Sequence, residues 1–102
     1  MAIPASTQVQ RTDGFREDVR RLAESFPDVE KAVEAFADAL RLGYDLPMIP
    51  ADDVRGAFVH RLDDPSLGSE GVARFRVLFL DAGVGATTGV RVWVLVQIDV
   101  VS

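Results

Sequence analysis

Residues 72–80 read VARFRVLFL, and this stretch decides the fold of the chain. Alternate positions in it hold large apolar side chains: Phe75, Val77 and Phe79. A period of two is that of a β-strand, whose successive side chains point to opposite faces of a sheet. One face of this strand is therefore expected to pack on helices, and the other, open face is expected to carry Arg74 and Arg76.

Two further runs on either side of this strand have the same period. Residues 54–62 and 90–98 are predicted as strands, and loops rich in turn-forming residues over 63–71 and 81–89 join all three into an antiparallel meander. The second loop contains the glycine-rich GVGATTG. It lacks a phosphate-loop signature and connects two strands, so it is expected to be a long hairpin loop.

Upstream of these strands the apolar period changes to 3.6, which predicts two helices. The first begins at Thr12 or Asp13, whose side-chain oxygens suit an N-cap, and ends near Phe26. The second begins near Pro27 and ends at Gly43. The predicted core joins both helical stripes to the central strand: Val19, Leu22, Phe26, Val33, Phe36, Leu40, Phe75, Val77 and Phe79.

These elements predict one α+β domain, with a short N-terminal strand and a two-helix hairpin packed on an antiparallel sheet of three to four strands. The alternating stretch 7–11 is either a frayed tail or a brief edge strand. Because 102 residues is the size of a single domain, residues 1–7 are expected to form a tail and residues 8–102 the domain.

Composition and charge exclude several classes of function. The chain has no cysteine, which excludes a disulfide framework, a cysteine-ligated zinc and a thiol nucleophile. A net charge of −5 argues against a generic nucleic-acid binder but leaves room for a local basic groove. The N-terminus has no leader pattern and the longest apolar run is VWVLV, so a cytoplasmic protein without cofactor, metal or membrane partner is expected.

The strands carry several candidate functional side chains. Arg74 and Arg76 either clamp a phosphate or pair with carboxylates on a solvated face. His60 is the sole histidine, so a multi-histidine metal site is excluded. We expect it to be a half-buried, hydrogen-bonded residue in preference to a catalytic one. Trp93 lies on the face opposite a run of valines, and the sequence leaves open whether it stacks a nucleic-acid base or covers the sheet or a partner's helix.

The order of elements and three stretches resemble the RelE/ParE superfamily of toxins from bacterial toxin–antitoxin systems. FREDVRRLAESFPDVEKAVEAFADALRLG (residues 15–43) is similar to the opening helical hairpin of that family. FVHRLDDPSLGSEGVARFRVLFL (58–80) is similar to its strand, glycine-containing loop and strand with an aromatic-Arg-aliphatic signature. VRVWVLVQI (90–98) is similar to its last strand, so the resemblance covers about residues 8–99.

The resemblance implies a toxin that binds an antitoxin protein and cleaves mRNA on the ribosome, by attack of a 2′-hydroxyl on the neighbouring phosphate. A ParE-like inhibitor of DNA gyrase and a non-catalytic interaction module are the alternatives. By position, Arg76 matches the strand arginine of the family and Arg61 matches the basic residue near the end of the preceding strand, so both are expected to act in catalysis on phosphate. The residues expected to contact substrate or partner are Arg74, His60, Trp93 and Asp99.

The chain departs from the family at positions that supply acid and base. Glu70 stands in a stretch where relatives often have a lysine, and Gln97 and Asp99 stand where many have lysine, arginine or tyrosine. A general base would have to be His60, Asp81 or Asp99. The sequence does not choose among these three.

Overall fold

The computed structural model describes residues 7–44, 46–51, 54–63 and 73–101. Seven elements follow one another in the order β1 (Thr7–Arg11), α1 (Asp13–Ala23), α2 (Val29–Leu42), β2 (Ile49–Pro50), β3 (Ala57–Asp63), β4 (Ala73–Val84) and β5 (Arg91–Val100). Both helices pack on one face of the sheet, so the predicted α+β class is confirmed. No helix in the described ranges is long and apolar enough to cross a membrane.

The strands form one mixed sheet in the order β1-β5-β4-β3-β2. β1 runs parallel to β5, with Thr7 opposite Arg91, and the other neighbouring strands are antiparallel. The expected antiparallel sheet of three to four strands is therefore wrong in two respects: β1 pairs in parallel, and Ile49–Pro50 adds an outer strand to β3. Thr7 belongs to β1 rather than to a tail, and residues 1–6 lie outside the described ranges.

The caps at Thr12 and Gly43 act as the sequence predicts, whereas Pro27 precedes α2, which begins at Val29. The Thr12 hydroxyl oxygen caps α1 by accepting a hydrogen bond from the backbone N–H of Phe15 at 3.0 Å. α1 ends at Ala23, somewhat earlier than expected, and Phe26 lies in the connection to α2. Gly43 ends α2 with φ of 74°, a left-handed conformation that glycine adopts without a Cβ penalty.

The core lies between the helices and the helix-facing side of the sheet. Six of the predicted core residues are buried: Val33, Phe36, Leu40, Phe75, Val77 and Phe79. The other three are partly buried and pack against that cluster: Val19, Leu22 and Phe26. The rings of Phe36 and Phe79 meet edge-on with centroids 5.2 Å apart, so α2 is packed directly on the central strand. The predicted side-chain alternation over Phe75, Val77 and Phe79 is confirmed.

A β-bulge interrupts the regular alternation of β5. Leu78 of β4 pairs with Gln97, but the next residue, Phe79, pairs with Leu95. Val96 is therefore an extra residue in β5, without a counterpart in β4. Because side chains in a strand alternate with a period of two, one extra residue reverses the alternation beyond it.

The bulge corrects the face assigned to part of β5. Leu95 and Ile98 both face the core, with 0% and 1% exposure, although an uninterrupted strand would point them in opposite directions. Uninterrupted alternation places Trp93 on one face with Gln97 and Asp99, and this is wrong. Trp93 is buried on the helix-facing side, whereas Gln97 and Asp99 are turned to the open face.

Thr12, the N-cap of α1, and Asp18 within α1 bind the backbone groups at the bulge. The Thr12 hydroxyl donates a hydrogen bond to the carbonyl oxygen of Val96 at 3.2 Å, and its backbone N–H donates to the carbonyl oxygen of Leu95 at 3.1 Å. The backbone N–H of Ile98 donates to a carboxylate oxygen of Asp18 at 3.3 Å. Polar groups that would otherwise lie unpaired beside the core are thereby satisfied.

Truncating Phe75 tests the core. We expect Phe75→Ala to lower the free energy of unfolding by about 3–5 kcal/mol, because the fully buried ring leaves a cavity. Leu42→Ala, at a position that is 66% exposed, should change it by less than about 0.5 kcal/mol. Urea unfolding of both variants measures the difference, and a loss below about 1 kcal/mol for Phe75→Ala would contradict the packing described.

Removing the Thr12 hydroxyl tests the attachment of α1 to the bulge. Thr12→Ala should destabilise the fold by about 0.5–2 kcal/mol, because the cap of α1 and the bond to Val96 are lost together. Thr12→Ser retains a hydroxyl, and its unfolding temperature should be close to that of the wild type. Equal destabilisation by serine and alanine, measured by thermal unfolding, would show that the hydroxyl is not the stabilising group.

Candidate functional site

Three charged side chains lie in a row across the open face of the sheet. Arg61 of β3 lies opposite Arg76 of β4, and Arg76 lies opposite Asp99 of β5. Residues directly opposite in antiparallel strands point to the same face, and neighbouring strands lie about 4.8 Å apart. The three side chains, here called the charged row, therefore span about 10 Å of the face.

The charged row contains two positive charges and one negative charge. Nη2 of Arg76 lies 3.7 Å from Oδ2 of Asp99, and these side chains are 56% and 43% exposed. Arg61 is exposed, and among the described residues no carboxylate lies within 4 Å of its guanidinium. Like charges directly opposite each other destabilise a sheet. The pairing of Arg61 with Arg76 therefore brings two like charges together on this face.

Gln97 holds the acidic end of the charged row. Its Nε2 donates a hydrogen bond to Oδ2 of Asp99 at 2.9 Å. A spacing of two predicts that Gln97 and Asp99 share a face of β5. These two side chains lie on the same face of the sheet as Arg76. The bulge at Val96 sets this placement relative to the rest of β5, and the local sequence pattern does not reveal the bulge.

Apolar side chains cover the open face beside the charged row. In the next rows, Val59 lies opposite Leu78, Leu78 lies opposite Gln97, and Leu80 lies opposite Val94. The four apolar side chains are partly exposed. An antiparallel sheet with one solvated face usually carries polar residues on that face. This face instead carries partly exposed apolar side chains beside the charged row.

His60 faces the helices, not the charged row. Its ring stacks on that of Phe36, with centroids 5.0 Å apart and planes 10° from parallel. Nδ1 of His60 lies 2.7 Å from the carbonyl oxygen of Pro47, which is hydrogen-bonding distance. The half-buried, hydrogen-bonded histidine that the sequence favours is confirmed, and the sheet separates this ring from the neighbouring Arg61.

Asp81 is also held away from the charged row. Nη1 of Arg91 donates to its Oδ2 at 2.9 Å, and the backbone N–H of Gly83 donates to its Oδ1 at 2.8 Å. Asp81 lies opposite the buried Trp93, so it belongs to the helix-facing side of the sheet. Both carboxylate oxygens are occupied by structural hydrogen bonds.

Trp93 covers the helix-facing side of the sheet. The centroid of its ring lies 5.6 Å from that of Phe79 and 6.3 Å from that of Phe58, and the residue is 8% exposed. Of the two roles that the sequence leaves open, covering the sheet is the one seen in the structure. The ring has no access to a nucleic-acid base at the open face.

Arg74 does not share the open face with Arg76, so this part of the sequence prediction is wrong. The register of β3 and β4 shifts between Leu62 and Asp63, which makes Arg74 an extra residue in β4. Its guanidinium lies 5.8 Å from the centroid of the Phe26 ring in the helix connection. Nε of Arg74 is buried and has no hydrogen-bond partner in the described part of the chain.

The glycine-rich stretch connects β4 and β5 as a hairpin, but β4 continues to Val84, so the loop is shorter than the predicted 81–89. The backbone N–H of Gly85 donates to the carbonyl oxygen of Val90 at 3.0 Å, and that of Gly89 donates to Gly85 at 2.9 Å. These two N–H groups are hydrogen-bonded within the loop, and the loop is followed by a strand and not by a helix whose dipole would attract an anion. The loop therefore does not form a phosphate cradle. Most of the other predicted loop, over 63–71, lies outside the described residues.

Other parts of the surface give weaker arguments for a site. No cluster of three potential metal ligands occurs among the described residues. A hollow of about 340 Å³ between α1, α2 and β1 is lined by several arginines. Glu30 also lines it, and each arginine is paired with its own carboxylate, so the hollow has no excess of positive charge: Arg11 with Glu34, Arg16 with Asp13 and Arg20 with Glu17.

Searches of the chain against protein-family models, curated proteins and solved structures found no match. The charged row and the apolar face beside it are the features of the described residues that point to a function. Of the six site residues expected from the sequence, the structure brings Arg61, Arg76 and Asp99 together, and it places the other three elsewhere: Arg74, His60 and Trp93.

Proposed function

We propose that the chain is a RelE-like toxin component of a bacterial toxin–antitoxin system, whose open sheet face binds mRNA in the cytoplasm. The observation that carries this proposal is the placement of Arg61 directly opposite Arg76 on an exposed face. The order of one strand, two helices and an antiparallel set of strands supports the resemblance to that family.

The two arginines suit a phosphate of the RNA backbone. A guanidinium presents paired N–H donors that match phosphate oxygens bidentately, and it keeps its charge at any physiological pH. A phosphate over Arg61 and Arg76 also removes the like-charge repulsion between them. Binding thus converts an unfavourable feature of the free sheet into a favourable contact.

The same two side chains support cleavage. When a 2′-hydroxyl attacks the neighbouring phosphate, negative charge grows on the phosphate oxygens, and cations fixed beside them stabilise the transition state. Arg61 and Arg76 are held by neighbouring strands, so their backbone positions are fixed before the RNA binds. We therefore assign the chain as a ribosome-dependent mRNA endoribonuclease in which both arginines act on the phosphate.

The apolar part of the open face favours a second candidate, a non-catalytic interaction module. Val59, Leu78, Leu80 and Val94 lie next to the charged row and are only partly covered. Burying such a surface under another protein is favourable by about 25 cal/mol per Å² of apolar area. In a toxin, this partner would be an antitoxin segment that covers the arginines and blocks the RNA.

Single substitutions in the charged row test the proposed activity. Arg76→Ala and Arg61→Ala should each lower mRNA cleavage about 100-fold or more, because one stabilising contact to the transition state is lost. Arg41→Ala, which removes an exposed arginine from the outer end of α2, is the matched control and should cleave like the wild type. A ribosome-containing assay with mapping of mRNA 5′ ends measures all three.

Binding of single-stranded RNA gives an independent measurement. Each phosphate contact contributes about 0.7 to the slope of log K against log salt, so the loss of Arg76 should reduce that slope by about 0.7. Equal, substantial cleavage by wild type and Arg76→Ala would remove Arg76 from the site. Absence of RNA cleavage in all variants, with capture of the antitoxin intact, would favour the interaction module, and growth arrest with inhibited gyrase would favour the ParE-like alternative.

A further inference from the structure

We propose that Asp99 is the general base of the cleavage reaction and that Gln97 is its positioning residue. This inference rests on the proposed function, because it assigns the group that removes the proton from the attacking 2′-hydroxyl. The sequence leaves three candidates for the base, and their placement in the fold distinguishes them.

Only one of these three candidates lies with the arginines. Asp99 is directly opposite Arg76 on the open face, and its side chain is 43% exposed. His60 is stacked on Phe36 on the other side of the sheet, and the carboxylate of Asp81 is occupied on both oxygens. A phosphate held by the arginines would therefore be within reach of Asp99 alone among them.

The hydrogen bonding of Asp99 leaves one oxygen for the substrate. Gln97 donates to Oδ2 at 2.9 Å, and the nearest guanidinium nitrogen of Arg76 also lies on the Oδ2 side, at 3.7 Å. None of the hydrogen bonds that the described residues make goes to Oδ1. The contacts on Oδ2 orient the carboxylate, and Oδ1 can accept the proton of a hydroxyl group that approaches along the open face.

The charges of the row allow a carboxylate to work beside a phosphate. A lone aspartate would repel the phosphate group, but two guanidinium groups in the same row leave it with a net positive charge. Arg61 and Arg76 hold the phosphate, and Asp99, at the β5 end of the row, meets the ribose next to it. The row thus separates phosphate binding from proton removal.

The proposed reaction balances without a cofactor. Asp99 takes the proton of the 2′-hydroxyl while the 2′-oxygen forms a bond to phosphorus. The bond from phosphorus to the 5′-oxygen of the next nucleotide then breaks, and that oxygen takes a proton from water. Asp99 returns its proton to the hydroxide that remains, and the products are a 2′,3′-cyclic phosphate and a 5′-hydroxyl end.

Asp99→Asn separates proton removal from RNA binding. We expect cleavage to fall about 100-fold or more, as is usual when a general base is lost, while RNA binding becomes no weaker because a negative charge is removed. Asp99→Glu should recover part of the cleavage. Asp38→Asn, an exposed carboxylate on α2 that is also paired with an arginine, is the matched control and should cleave like the wild type.

Gln97→Ala tests the positioning residue. It should lower kcat with little change in KM, because losing the hydrogen bond to Oδ2 misorients Asp99 without removing a contact to the phosphate. A purely structural role for Gln97 would instead lower the stability of the fold without this split between kcat and KM.

The outcomes distinguish failure of this inference from failure of the proposed function. If wild type neither binds nor cleaves RNA, the proposed function fails and this inference fails with it. If wild type binds and cleaves RNA but Asp99→Asn cleaves equally well, only the assignment of Asp99 is overturned. If wild type binds RNA without cleaving it, the general base is overturned while the RNA-binding face stands. A substrate with 2′-deoxyribose at the cut site must remain bound and uncut.

Discussion

The hydrogen bonds between α1 and the bulge at Val96 are the constraint on which the rest of the structure depends. Thr12 binds the carbonyl oxygen of Val96, and Asp18 binds the N–H of Ile98. A buried polar group without a partner costs about 1–3 kcal/mol, and these part-buried backbone groups are satisfied by Thr12 and Asp18, which stabilises the bulge. The bulge reverses the alternation of side chains in β5. Leu95 and Ile98 therefore both lie in the core, while Asp99 lies on the open face.

The two faces of the sheet meet different physical requirements. The helix-facing side is closed by buried aromatic and aliphatic side chains, and even His60 is satisfied there by stacking and a hydrogen bond. The open face places Arg61 opposite Arg76 and exposes apolar side chains beside them, neither of which stabilises the isolated domain. Proteins depart from local consistency in this way mainly at functional sites, which is why the open face carries the argument for function.

Much of the fold could be predicted because its signals are local. The cap at Thr12 and the glycine at the end of α2 depend on a few neighbouring residues, and the faces of Phe75 and Arg76 follow from an uninterrupted alternation. The predictions for Trp93 and Arg74 failed for one shared reason: β5 and β4 each contain an extra residue. A bulge is decided by how a strand pairs with its neighbour, so the pattern of a single strand does not reveal it.

By itself the sequence determined the α+β class, the caps at Thr12 and Gly43, most of the core, and the placement of Arg76 and Arg61 on the face away from the helices. Only the tertiary structure decided that β1 pairs in parallel with β5, that Asp99 lies beside Arg76, and that His60 and Asp81 are held on the other side. The physical reason is distance along the chain. Helix caps and strand alternation act over a few residues, whereas the hydrogen bond from Thr12 to Val96 joins residues 84 positions apart and forms only when the helix has packed on the sheet.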